Sequence, residues 1–190
     1  MHKELWFPTP IWIEDLRLDL TFLEKFCYTL RNVDTGKVMS NAGGWQSQFL
    51  KFDDFPELTN LKSLLETKAK ECTQEFGCMY QPKIQKFWVN INSEKDYNKT
   101  HIHDSFFSGV LYIKSNKDSG LIKFSKNFDY QYIMGLFGPY KENILNAVEC
   151  GYPPSAGRLV IFPSWLPHSV ETNNDTEDRI SLAFDITLEK

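Results

Sequence analysis

Three of the four histidines in this chain are placed to meet at one point. His101 and His103 stand two apart in Thr100-His101-Ile102-His103-Asp104. In an extended strand, residues two apart project to the same face, so both imidazoles can grip one ion. The third, His168, ends the run Arg158-Leu159-Val160-Ile161-Phe162-Pro163-Ser164-Trp165-Leu166-Pro167-His168, an apolar strand pattern that finishes in a turn. Imidazole nitrogen suits Fe, Zn, Cu and Ni. Three such ligands on one side of an ion leave the opposite positions free for substrate and dioxygen or water, which is what a catalytic metal needs. Histidines with purely structural roles are the competing reading of the same residues.

A second group of polar residues follows on the next strand pattern. Arg179 and Ser181 lie two apart and share a face. A guanidinium pointing into a barrel requires an anion, and beside a hydroxyl it is suited to bidentate capture of a carboxylate. A surface ion pair with Asp178 or Asp185 is the alternative. Upstream, Ile84 to Asn92 alternates, with Ile84, Lys86, Trp88, Asn90 and Asn92 on one face and Phe87, Val89 and Ile91 on the other. Asn90 and Asn92 thus face either a ligand or ordinary solvent.

The elements that must carry these groups fall into two halves. Leu5 to Leu16 mixes aromatics, Ile and two prolines, as an edge strand tolerates. Asp19 to about Asn32 carries apolar residues three and four apart, which predicts an amphipathic helix capped by Asp19. A second helix spans about Glu57 to Phe76 and stops at Gly77. Between them, Ser40 to Gln48 reads as an ordered loop in which Trp45 is either an anchor or a pocket wall. After Pro82 the pattern is short strands: Ile84 to Asn92, the histidine strand, Ser108 to Lys114, Leu121 to Phe124 after a hairpin turn at Ser119-Gly120, Arg158 to Phe162, and Arg179 to Thr187. Asn127 to Pro154 reads as a long, irregular aromatic insertion, either a substrate lid or a loop packed over the barrel end.

Composition excludes several classes. With 190 residues, 42% hydrophobic, the chain is sized for one domain over residues 1–190 with its own core. A net charge of −4 gives no reason to expect nucleic acid or an anionic membrane surface as partner. Cys27, Cys72, Cys78 and Cys150 are scattered, with no C-x-x-C, and read as reduced thiols. No apolar run approaches the roughly 20 residues that span a bilayer, so no membrane association is expected and a cytoplasmic location is the default.

Taken together, Phe7-Pro8-Thr9-Pro10, Gly44-Trp45-Gln46-Ser47, His101-Ile102-His103, Ser108-Gly109-Val110-Leu111-Tyr112 and Phe162-Pro163-Ser164-Trp165-Leu166-Pro167-His168 span nearly the whole chain. With these motifs the sequence resembles the 2-oxoglutarate- and Fe(II)-dependent oxygenases, most closely a branch of small members from phages and marine bacteria. The resemblance implies a mainly β fold, a double-stranded β-helix (jelly roll, cupin-like) with two buttressing N-terminal helices. It implies Fe(II) as metal and 2-oxoglutarate as co-substrate, with oxidative decarboxylation by dioxygen coupled to hydroxylation of a small-molecule or peptide substrate. His101 then matches the first metal ligand and His168 the last. Arg179 and Ser181 match the pair that holds the distal carboxylate of 2-oxoglutarate, and Tyr112, Asn90 and Asn92 are further candidates for lining that pocket. The departure is at the second ligand, where most of the superfamily has H-x-D or H-x-E. Here the position is His103, with Asp104 as an alternative through a bulge, or water. A three-histidine iron enzyme of the thiol-dioxygenase type and a non-catalytic jelly-roll binding module are the rival functions.

Overall fold

The structure, a computed structural model, describes residues 1–138 and 140–189. Its strands form two antiparallel sheets packed face to face as a jelly roll. In chain order the elements are β1 (Trp12–Asp15), α1 (Leu20–Val33), β2 (Asn41–Ala42), β3 (Trp45–Gln46), α2 (Thr59–Glu75), β4 (Gln81–Asn92), β5 (Tyr97–His101), β6 (Phe107–Lys114), β7 (Ile122–Ser125), α3 (Phe128–Phe137), β8 (Glu149–Tyr152), β9 (Arg158–Pro163), β10 (His168–Val170) and β11 (Arg179–Glu189). The larger sheet runs β1-β9-β6-β11-β4-β3, and the smaller β2-β5-β10-β7-β8.

Period-two patterning gives the larger sheet two different faces. Leu111 and Ile113 of β6, Leu159 and Ile161 of β9, and Ile180, Leu182 and Phe184 of β11 join one buried cluster with Leu23 and Cys27 of α1 and Leu61, Leu65, Ala69 and Cys72 of α2. The intervening residues Val110 and Tyr112, and Val160 and Phe162, belong to a second cluster with Ile122 and Phe124 of β7, in the space between the sheets. The helices therefore buttress the outer face, and the inner face is left to line a cavity. Each fully buried aliphatic side chain contributes about 1.5–3 kcal/mol to this arrangement. α1 begins where expected, with the Asp19 side chain accepting from the Thr21 N–H, and α2 stops before Gly77, at φ +84°. β1 is an edge strand, so Pro8 and Pro10 precede it at no cost to a ladder.

Several local expectations change. Ile84 sits with Phe87, Val89 and Ile91 in the helix-side core rather than with Lys86 and Trp88. In the β4–β11 ladder Asp185 pairs with Lys86 and Ile186 with Ile84, so Gln85 is an inserted residue that inverts the alternation upstream of it. The Ser119-Gly120 turn exists, and Gly120 has φ +77°, but the strands around it do not form a hairpin. β6 and β7 lie in opposite sheets, because their inward residues meet across the sandwich. The Ser40 to Gln48 loop contains β2 and β3, which edge different sheets and are joined through Gly43 and Gly44 at φ +68° and +63°. Trp45 is its anchor: its Nε1–H donates to the Asp34 carbonyl at 3.0 Å.

The histidine strand starts at Tyr97, and the segment Asn127 to Pro154 is less irregular than its composition suggests. It holds α3, capped by Asn127 at the Tyr130 N–H, and β8, which pairs with β7. No residue of α3 is buried, and Phe128, Ile133 and Phe137 are exposed. Among the described residues, all four cysteines are free and no helix is long and apolar enough to cross a membrane.

Candidate metal centre and its cavity

The smaller sheet brings the histidines together. His168, the first residue of β10, lies directly opposite His101, the last residue of β5. His103 follows two residues beyond the strand rather than within it, and its backbone N–H is held by the Ser164 carbonyl at 2.9 Å. One ligand atom from each of the three lies within 4.8 Å of the others. Asp104 is exposed and outside this cluster.

Hydrogen bonding fixes which nitrogen His101 and His168 present. His101 Nδ1 is 2.7 Å from the Lys99 carbonyl and His168 Nδ1 is 2.9 Å from the Leu166 carbonyl. A carbonyl only accepts, so each Nδ1 carries the proton and each Nε2 a lone pair. His103 Nε2 and His168 Nε2 are 3.1 Å apart. Two imidazole nitrogens bound at about 2.1 Å and at right angles on one ion would be separated by about 3.0 Å, so this pair of donors fits one cation. Burial holds all three rings neutral, the metal-binding form. It pushes His103 down to about 4, against the pull of Asp185, and His168 down to about 3, with His101 adding to the effect. His101 is lowered for the same reason, opposed by its bond to Lys99.

Around His103 stand groups that the motif pattern did not single out. The Asp185 carboxylate is 3.4 Å from His103 Nδ1, accepts from Ser108 Oγ at 2.9 Å, and pairs with Lys86 Nζ at 3.1 Å. Ser108 Oγ is also 2.8 Å from Ser164 Oγ, which ties two of the sequence motifs together. Trp88 stacks on the His103 ring, centroids 5.3 Å apart and planes at 24°. The signal for Asp185 was its parity: it shares the strand face of Arg179, Ser181 and Ala183.

The larger sheet supplies the other end of the cavity. Arg179 pairs across β4 with Asn92, while Ser181 pairs with Asn90 on β4 and with Tyr112 on β6. These five residues form one polar patch, and all line the same cavity as the three histidines. The alternative of a surface ion pair for Arg179 does not hold: Asp178 pairs with Arg31, and Asp185 with Lys86. Arg179 is 1% exposed. Its Nη1 donates to the carbonyls of Ser119 and Glu171, and its Nη2 has no partner. Tyr112 OH and Asn90 Oδ1 are likewise buried without partners. Burial lowers the Arg179 pKa and raises that of Tyr112 to about 12. A buried guanidinium with a free edge is costly unless an anion meets it, so the patch is suited to a carboxylate. Among the described residues, neither Trp45 nor the segment 127–154 lines this cavity.

A family sequence model described as "Putative 2OG-Fe(II) oxygenase" matches residues 86–185, just over half of the chain. That span contains all three histidines, Arg179, Ser181 and Asp185. No curated protein matches the chain by sequence. Many solved structures share the fold, three of them as follows. A Pseudomonas putida prolyl-4-hydroxylase is 15% identical with a TM-score of 0.69, over 96% of this chain and 94% of its own. A Trichoplax adhaerens prolyl hydroxylase in complex with a peptide fragment of the hypoxia inducible factor oxygen degradation domain is 15% identical with a TM-score of 0.65, over 92% and 81%. HygX from Streptomyces hygroscopicus, with nickel, 2-oxoglutarate and hygromycin B bound, is 10% identical with a TM-score of 0.59, over 95% and 83%.

Proposed function

Because this chain belongs to the 2OG-Fe(II) oxygenase family, we propose that His101, His103 and His168 hold its Fe(II), and that Arg179 with Ser181 holds the distal carboxylate of its 2-oxoglutarate. The observation that carries the assignment is the pairing of a neutral three-histidine cluster with a buried, half-satisfied guanidinium in one cavity. When bound, Fe(II) and 2-oxoglutarate together activate dioxygen, the co-substrate leaving as succinate and carbon dioxide, and the substrate is hydroxylated.

The chain's own residues bind, orient and exclude water. Backbone carbonyls at Lys99 and Leu166 keep two Nε2 lone pairs aimed at one point. The Ser119 and Glu171 carbonyls fix Nη1 of Arg179, leaving Nη2 free for an oxygen. Tyr112 adds a hydroxyl without a partner that can donate to the same carboxylate, and Asn90 and Asn92 complete the polar patch. Val110, Ile122 and Phe162 form an apolar wall that keeps water from this region. A three-histidine enzyme of the thiol-dioxygenase type needs no 2-oxoglutarate clamp, whereas the unpaired edge of Arg179 calls for an anion in the same cavity as the histidines.

The substrate we propose is a small molecule or a peptide, since one fold relative holds a peptide fragment and another hygromycin B. Four unpaired cysteines support a cytoplasmic setting. The test is an anaerobic titration of Fe(II)-loaded protein with 2-oxoglutarate, following the visible metal-to-ligand charge-transfer band, beside His101→Ala and His168→Ala. A saturable band in the wild type, with iron lost from both variants, is the expected outcome. Full iron content in either variant would sink the ligand assignment.

A further inference from the structure

The second ligand position is where this chain departs from the histidine-carboxylate pattern, yet a carboxylate stands directly behind it. Asp185 is 1% exposed, and its Oδ1 lies 3.4 Å from His103 Nδ1. His101 and His168 are oriented by backbone carbonyls, which are neutral dipoles, so only His103 faces a formal charge. We propose that Asp185 is a positioning residue acting through His103: it holds the proton on Nδ1, aims Nε2 into the cluster, and lends the metal centre across one imidazole the negative charge that an aspartate ligand would supply directly.

Three observations support the role. The carboxylate is anchored from the side, accepting from Ser108 Oγ at 2.9 Å, and Ser108 in turn meets Ser164 at 2.8 Å. The Ser164 carbonyl holds the His103 N–H, so one network fixes the backbone of this residue and sets the carboxylate beside its ring. Lys86 pairs with the other carboxylate oxygen from a partly exposed position, where water screens it more than it screens Asp185. It therefore tempers the charge without cancelling it. Carboxylates placed in this way behind metal-bound histidines raise ligand basicity, and their loss typically costs 10–100-fold in metal affinity.

The proposal rests on His103 being a ligand, and the test separates the two claims. The full chain is titrated with Co(II), followed by d–d absorption, as wild type, Asp185→Asn and His103→Ala. Proton spectra of the Co(II)-loaded proteins are recorded alongside. Three solvent-exchangeable, hyperfine-shifted N–H resonances are expected in the wild type, one for each Nε2-bound histidine. Asp185→Asn should bind Co(II) about 10–100-fold more weakly, with shifted d–d bands and with one of the three resonances moved or lost to exchange. A purely structural role would lower the melting temperature and leave those spectra alone. If His103→Ala weakens binding while Asp185→Asn matches the wild type in affinity and spectrum, the role of Asp185 falls and the ligand reading stands. Wild-type affinity in His103→Ala overturns both. Should Asp185→Asn fail to fold, the wild-type spectrum decides, because a missing third exchangeable resonance overturns the proposal without any variant.

Discussion

Replacing Arg179 by Met removes the guanidinium while keeping a side chain of similar length. Nη1 is already committed to the Ser119 and Glu171 carbonyls, so on the proposed assignment an incoming carboxylate would meet Nη2, whose two N–H groups have no partner. A hydrogen bond to a charged group contributes about 1.5–3 kcal/mol, and this one is doubly charge-assisted in a buried site. Loss of about 3 kcal/mol corresponds to about a hundredfold in dissociation constant. The Arg179→Met protein should therefore bind 2-oxoglutarate about a hundredfold more weakly in anaerobic calorimetric titration, with its Fe(II) content unchanged. Its folding stability should move much less. The variant leaves two carbonyls unpaired at about 1–3 kcal/mol, but it also removes a buried charge, which offsets that loss. Arg179→Lys should fall between, since an ammonium restores the charge as a point and not as a fork. A change of less than threefold in Arg179→Met would refute the reasoning and send the carboxylate elsewhere in the cavity.

Two further outcomes follow from the same geometry. Burial pushes His103 down to about 4 and His168 down to about 3 in the folded apoprotein, from an ordinary value of 6.5. The unfolded chain then binds protons first as pH falls, so the resulting loss of stability is absent above about pH 6.5 and grows below it. At pH 5 His168 alone should cost about 2 kcal/mol. Thermal melts of apoprotein at pH 7 and pH 5 should show this drop, and His168→Asn should reduce it; an unchanged pH dependence would contradict the burial argument. Gly120→Ala should destabilise by about 1–3 kcal/mol. A Cβ there would sit 2.6 Å from the Thr172 carbonyl oxygen and 2.7 Å from that of Glu171, at a positive φ. Because Ser119 is the preceding residue and its carbonyl holds Arg179, the variant should also weaken 2-oxoglutarate binding. Wild-type melting and affinity together would show that the turn tolerates a side chain.

What the sequence made legible was whatever depends on local period and residue type. The two faces of β6, β9 and β11 follow from strict alternation, which is why Arg179 and Ser181 could be put on one face before any partner was known. The opposition of His168 to His101 is a pairing between distant segments, and the residue types anticipated the cluster where periodicity could not. What escaped was set by partners. The Gln85 insertion is a register event in the β4–β11 ladder, so alternation counted along β4 alone misplaces Ile84. The Ser119-Gly120 turn announces a left-handed residue and says nothing about which sheet receives the next strand. Asp185 had the right parity, but a single acid on a strand carries no mark of the ring it will face.

The two ends of the cavity belong to different sheets: His101 and His168 to the smaller, and Arg179, Ser181, Asn90 and Tyr112 to the larger. The two sets of groups are therefore held by two packed layers, and stacked sheets lie about 10 Å apart. A close-packed interior resists compression, so that spacing does not adapt to its guest. On the assignment made above, the sandwich works as a fixed gauge for the length of a dicarboxylate. A four-carbon 2-oxo diacid would leave one end short of its partner and a six-carbon one would have to buckle, so selection by chain length needs no dedicated contact to the methylene groups between.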